Sequence, residues 1–248
     1  MGRRPAAAGA PLPGPKPLPS PNIWYWPEIY EVENRAQDVH GAVWSALRAR
    51  YDWAGRDVLD VGCGDGYHLP MFARTARSVV GVEPHAPLVR RAETRTAELA
   101  DVRVLAGGAE RLPLPESSVD LVHARTAYFF GPGSEPGLAE ADRVLRPGGA
   151  LAVVDLDASH PPYGEWMRAD LSRYDPAEVE EFFARAGFSC EKVVTTWRFA
   201  ERADLEAVLR IEFAKRTAAR AIAETAGLTL SVGYRVHVRH RPTSLLLP

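Results

Sequence analysis

The stretch VLDVGCGDG, Val58 to Gly66, decides the reading of this chain: four strand-like residues run into a turn holding three glycines and an acid. A backbone that bare admits a ligand at close range, because glycine brings no side chain and tolerates the φ angles a tight turn demands. The spacing is Gly62, Gly64, Gly66, or G-x-G-x-G, which misses the dinucleotide fingerprint G-x-G-x-x-G by one residue. A phosphate-cradling loop ends in Lys followed by Ser or Thr, and this one does not. Asp60 closes the strand and Asp65 sits in the turn, so two carboxylates face whatever is held there, and a phosphate is the wrong guest.

Working outward, the next strand, SVVGVE, ends on Glu83, where an acid accepts both ribose hydroxyls in nucleoside-binding βαβ units. Acid-edged glycines suit a nucleoside that carries an ammonium and a sulfonium, and S-adenosylmethionine is such a ligand. From Asp57 on, short apolar runs (DVLDV, SVVGVE, VRVLA, VDLVHA, ALAVVDLD) alternate with segments of helix length, among them one from about Tyr67 and one from Pro87 to Leu99. A loop SHPPYGEW follows, then a helix from Pro176 to Ala186 stopped by Gly187, the run CEKVVTTWRF, one long helix and LTLSVGYRVHVRHR. The pattern predicts an α/β fold: a Rossmann-like, doubly wound, seven-stranded and mostly parallel sheet with helices on both faces.

The first 27 residues contain eight prolines, and residues 1–21 have no periodic apolar face, which predicts a flexible, proline-rich tail. Residues 22–52 are expected to form a cap: an aromatic segment with Trp24, Tyr25 and Trp26, then a helix from Asn34 to Arg50 with Val39, Val43 and Leu47 on one stripe. Residues 53–248 are expected to make up the ligand-binding domain.

The composition suits one globular domain: 248 residues, 46% hydrophobic and 25% charged, with a formal net charge of −2. Near-balanced charge supplies no field for a nucleic acid or membrane surface and makes a small molecule the default partner. Cys63 and Cys190 lack disulfide-framework or metal-ligand spacing, so no metal is expected and a reducing cytoplasm is the simplest home. No apolar run approaches the roughly 20 residues that span a bilayer.

Together these motifs resemble the class I S-adenosylmethionine-dependent methyltransferases, in the subgroup acting mostly on small molecules. The resemblance covers about Asp57 to Asp155 by motif and the rest by layout. It implies that Asp60, Gly62, Gly64 and Gly66 surround the methionine end of the cofactor, that Glu83 takes the ribose, and that Ala124 lies beside them on the fourth strand. Family members often place an Asp where this chain has Gly108, which leaves the adenine to the Ala109 backbone and the Glu110 side chain.

Methyl transfer requires the acceptor in line with the sulfonium and shielded from water, and a hydroxyl acceptor also needs a base. His160, just beyond the fifth strand, is the expected base, and Arg125, ending the fourth, the expected substrate anchor. His123 and His68 read as structural, and His237 and His240 as residues of a solvated face. Trp24, Trp26 and Tyr30 are expected to fold over the cofactor, with Tyr128, Phe129 and Phe130 completing an aromatic acceptor pocket. Two other readings stay open. Arg210, Lys215, Arg216 and Arg220, with Arg235, Arg239 and Arg241, would make a basic patch for methylation of RNA or protein, against a solvated face interleaved with Glu206 and Glu212. The other is a cofactor-binding module without turnover.

Overall fold

The computed structural model describes residues 20–128 and 131–243. The proline-rich tail before Ser20, and Phe129 and Phe130, lie outside the described residues; Pro21, read as tail, instead opens the first helix.

Seven strands form one sheet: β1 (Asp57–Val61), β2 (Ser78–Glu83), β3 (Val102–Ala106), β4 (Val119–Arg125), β5 (Leu145–Leu156), β6 (Ser189–Arg198) and β7 (Thr229–His240). Their order is β3-β2-β1-β4-β5-β7-β6, parallel from β3 through β5, with β7 antiparallel to both its neighbours. The mostly parallel, seven-stranded expectation therefore holds. The central strands read as unbroken apolar runs because both faces are covered. Along β1 the side chains alternate: Val58 joins the core on one face, Leu59 and Val61 the core on the other.

The helices are α1 (Pro21–Tyr25), α2 (Pro27–Ala36), α3 (Ala42–Arg50), α4 (Leu69–Ala73), α5 (Ala86–Thr96), α6 (Glu135–Val144), α7 (Tyr163–Asp170), α8 (Pro176–Arg185), α9 (Arg202–Glu212) and α10 (Lys215–Glu224). Three depart from the sequence reading. The single helix expected over Asn34 to Arg50 is two, because Asp38 takes φ 46° and Gly41 φ 67° between them. The Asp38 carboxylate accepts from the first amides of α3, Ala42 at 2.8 Å and Val43 at 3.0 Å, and from the Thr195 hydroxyl at 2.7 Å. An acid restarting a helix in this way contributes about 1 kcal/mol. The SHPPYGEW loop contains the start of α7, which buries Tyr163, Trp166 and Met167 against the core. The single late helix breaks at Phe213, which joins the same core.

The last strand also differs. His237 is buried and stacked on Phe183 at 4.5 Å, so it belongs to the core and not to a solvated face; burial pulls its imidazole down to about 4. Arg235 is fully buried, opposite Asp155 in register, and donates to the Pro176 carbonyl at 3.1 Å. Arg239 pairs with Asp142 at 2.6 Å, Arg241 donates to the Asp142 carbonyl at 2.9 Å, and Arg210 and Arg220 pair with Glu206 and Glu224 at 2.7 Å each. The β7 arginines of the expected basic patch are therefore taken up by the fold, whereas Arg210 and Arg220 make i,i+4 pairs on exposed helix faces.

Candidate functional site

β1 pairs with β2 on one side and β4 on the other, so the chain reverses direction of travel at its carboxyl edge, where doubly wound sheets hold ligands. A cavity of about 940 Å³ runs along that edge in strand order. Its wall passes from Gly107 to Arg111 beyond β3, through Glu83 of β2 and Asp60 to Asp65 after β1, to Arg125 of β4, and on to Leu156 of β5 and Tyr234 of β7. Helices α1 and α2 roof it.

At the β1 end, Gly62 and Gly64 line the cavity with φ of 72° and 58°. A methyl group on Gly64 would lie 2.8 Å from Ile23 Cδ1, a side-chain end that can shift, so glycine is required here chiefly by the positive φ. Gly66, expected among the cofactor contacts, is not part of the wall. At φ 80° a Cβ there would meet the Ala92 backbone at 3.0 Å, so this third glycine serves the packing of the turn on α5. Ala124 is likewise fully buried in the sheet core and stays off the wall.

Glu83 lines the cavity, 4% exposed, with Oε2 accepting from Gly64 N at 3.1 Å and Oε1 from His85 N at 2.9 Å. Burial nevertheless raises its carboxyl above the usual range, so two amide donors do not fully replace water. Each oxygen keeps a further lone pair for a ligand hydroxyl. Asp60 is held by His123, whose Nδ1 lies 2.7 Å from Oδ1 in the sheet interior, as the structural reading of that histidine expects. Ala109 and Glu110 sit on the wall beyond β3, where a short bridge between Gly108 and Arg111 shapes the turn.

Toward β4, Arg125 faces the cavity, donates to Gln37 Oε1 at 2.7 Å and lies over the Tyr234 ring at 4.8 Å. Tyr30 and Tyr128 both line the wall, and Trp24 stacks on His85 at 4.4 Å. Trp26 does not: it is 54% exposed and lies off the cavity, because the break between α1 and α2 turns it outward. His160 is also off the wall. Its loop folds back on β7, where Nε2 meets Ser231 Oγ at 2.8 Å and Cβ packs on Gly233. Among the described residues, His68 is the histidine on the wall, and burial keeps its pKa well below the usual value. Sequence position at the start of α4 was its only signal.

The sequence reading missed a polar group at the β5 and β7 end. Glu33 from α2 and Glu212 from α9 bring their carboxyl groups together there. Asn22 donates to Glu212 Oε1, the Tyr163 hydroxyl donates to Glu212 Oε2 at 2.7 Å, and Gln37 donates to Glu33 Oε1 at 2.7 Å. Burial pushes both carboxyls up, Glu33 the further because the charge of Glu212 adds to the penalty. Glu212, read as part of a solvated helix face, turns inward.

Residues 59–153 match a family model described as a methyltransferase domain. A probable S-adenosylmethionine-dependent methyltransferase of Mycolicibacterium smegmatis is 32% identical over 68% of this chain and 65% of its own length. A tRNA U34 carboxymethyltransferase of Methylococcus capsulatus is 32% identical over 57% of this chain and 47% of its own. The crystal structure of the YcgJ protein from Bacillus subtilis superposes with a TM-score of 0.60 at 19% identity, over 83% of this chain and 100% of that one. With the sheet order and the glycine turn, these likenesses mark residues 59–153 as a methyltransferase domain and make the chain similar to the class I S-adenosylmethionine-dependent methyltransferases. The chain spans about two thirds of the Mycolicibacterium relative and about half of the Methylococcus one.

Proposed function

We propose that this protein transfers a methyl group from S-adenosylmethionine to a small-molecule acceptor by in-line displacement inside the cavity along the sheet edge. The observation that carries the reading is the shape of that cavity. At about 940 Å³ it sits at the top of the roughly 300–1,000 Å³ span of small-ligand sites, and it continues past the cofactor end under a roof of helices. The residues fit the cofactor: a Cβ-free turn at Gly62 and Gly64 admits a close-approaching ligand, and Glu83 presents spare lone pairs to a ribose.

Bound there, S-adenosylmethionine supplies a methyl group already made electrophilic by its sulfonium. The chain supplies position. Asp60 and the Gly62 to Gly64 backbone flank the methionine end, Glu83 anchors the ribose, and Ala109 with Glu110 borders the base. Ile23 and Trp24 shield the turn from water, which keeps the acceptor aligned and the site dry. Arg125, fixed by Gln37, stands between the two ends as an anchor. Where the acceptor atom carries a proton, His68 is the imidazole on the wall, held in its neutral, proton-accepting form.

Nucleic acid is the second reading, favoured by the tRNA-modifying relative and opposed by the internal pairing of the β7 arginines and by the acids interleaved with the exposed arginines of the late helices. The test is methyl transfer from labelled S-adenosylmethionine to a small-molecule extract and, separately, to tRNA. Label in small acid-soluble products supports the proposal. Label in tRNA, with binding that collapses as salt rises, refutes it.

A further inference from the structure

The acceptor end carries one feature that a cofactor pocket does not need. Glu33 is 3% exposed and lines the cavity, yet its Oε2 receives no donor from any described residue. The carboxyl group sharing its space is that of Glu212. Two carboxyls side by side in a low-dielectric wall cannot both ionise cheaply, and here Glu33, its carboxyl pushed well above the usual range by burial and by Glu212, keeps a proton and bonds to Glu212 through it. The arrangement is therefore costly, and it is held in place deliberately: Gln37 fixes one member, Tyr163 and Asn22 the other. Asp170 on the same stretch of wall is already engaged, accepting from Ala214 N and the Thr217 hydroxyl at the start of α10, so the Glu33 and Glu212 pair faces the guanidinium of Arg125. Around them stand Tyr30, Phe213, Tyr234 and Met167, three aromatic rings and a thioether. Acids set among aromatic faces are the surroundings that favour a desolvated organic cation.

We propose that the acceptor is an amine, whose cationic nitrogen docks between Glu33 and Glu212 while its apolar body lies against the aromatic wall. One N–H proton passes to a carboxylate of that pair, and the freed lone pair attacks the methyl carbon as its bond to sulfur breaks, leaving the neutral thioether. The inference rests on the small-molecule reading above and narrows it to a substrate class. A protonated amine brings up to three N–H donors, enough to engage Glu33 Oε2 in place of the proton the two carboxyls share. A neutral alcohol replaces that proton poorly, and a carboxylate adds charge of the wrong sign.

Three probes of matched shape separate these cases: 2-phenylethylamine, 2-phenylethanol and 3-phenylpropanoate, each titrated by calorimetry into the full chain saturated with S-adenosylhomocysteine. The amine is expected to bind at least about tenfold tighter than the other two, a difference of about 1.4 kcal/mol. In Glu33→Gln that preference should vanish, while S-adenosylhomocysteine affinity is unchanged and the melting temperature is equal or higher. A merely structural carboxyl would not link loss of amine selectivity to retained stability. Glu212→Gln should also lose the preference, and its melting curve shows whether its bonds to Tyr163 and Asn22 are needed for folding. Equal or tighter binding of the alcohol or the acid, no binding of the amine, or an amine preference that survives in folded Glu33→Gln overturns the inference. Failure of the underlying reading looks different: methyl groups would then appear in tRNA and in no small product, whichever probe binds.

Discussion

Replacing Glu83 by Gln isolates the contact on which the proposed ribose assignment depends. Alanine is the wrong probe, because it would strand the Gly64 and His85 amides, which Glu83 receives at 3.1 and 2.9 Å. Two unsatisfied buried donors cost roughly 2–6 kcal/mol together, a large share of the 5–15 kcal/mol typical of a whole domain. Glutamine keeps one carbonyl acceptor and loses the other. It also removes a charge whose burial is penalised, as the raised carboxyl shows, so the two changes partly offset and a net loss of about 1 kcal/mol is expected. Binding should suffer more visibly. A ribose with two hydroxyl donors then meets one acceptor where it had two, and losing one charge-assisted bond of at least about 1.4 kcal/mol weakens the dissociation constant tenfold or more. Calorimetric titration with S-adenosylhomocysteine near neutral pH, alongside a melting curve, measures both quantities. A cleanly folded Glu83→Gln protein with an unchanged dissociation constant would place the ribose elsewhere and refute the assignment.

Three further outcomes follow from the same geometry. Gly66→Ala should lower stability by about 2–4 kcal/mol, since a positive φ and backbone contact at 3.0 Å act together; Gly108→Ala, with open space around it, should be neutral in the same chemical denaturation. His237 titrates at about 4 in the fold, against 6.5 when unfolded, so its contribution is complete above pH 6.5 and lost as pH falls from there toward 4. That shift corresponds to about 3 kcal/mol, and His237→Phe should flatten the acid limb of the stability curve; an identical limb would contradict the assignment. Adding S-adenosylmethionine should slow amide hydrogen exchange from Trp24 to Tyr30, because Ile23 rests on the Gly64 turn; exchange indifferent to the ligand would make the segment ordinary packing.

The architecture was legible because its determinants are local. β1, β2 and β4 announce themselves as apolar runs, and Glu83 declares its place by ending one of them. The breaks were not legible. Asp38 looks like any polar helix residue until Thr195, distant in sequence, shares its carboxylate. The acceptor end was invisible for a stronger reason: Asn22 and Glu212, bonded to each other, stand 190 residues apart. An acid facing a cavity and an acid facing water leave the same mark on an amphipathic helix. His160 shows the converse error, since lying just past a strand at the ligand edge does not say which way the loop turns.

The place of β7 between β5 and β6 bears on how the chain is made. β5 carries a run from Ala150 to Val154 that is wholly buried in the finished sheet, and one side of it is closed only by residues Val236 to His240. During synthesis that edge stays bare until β7 has emerged, with β6 equally without its neighbour. An apolar strand with open hydrogen-bonding groups invites pairing with another chain. The nascent protein is thus most exposed to aggregation while β5 and β6 are made and β7 is still missing. Any frameshift or stop codon that removes the final strand should yield insoluble material instead of a smaller working domain, even though every proposed cofactor contact lies well upstream of it.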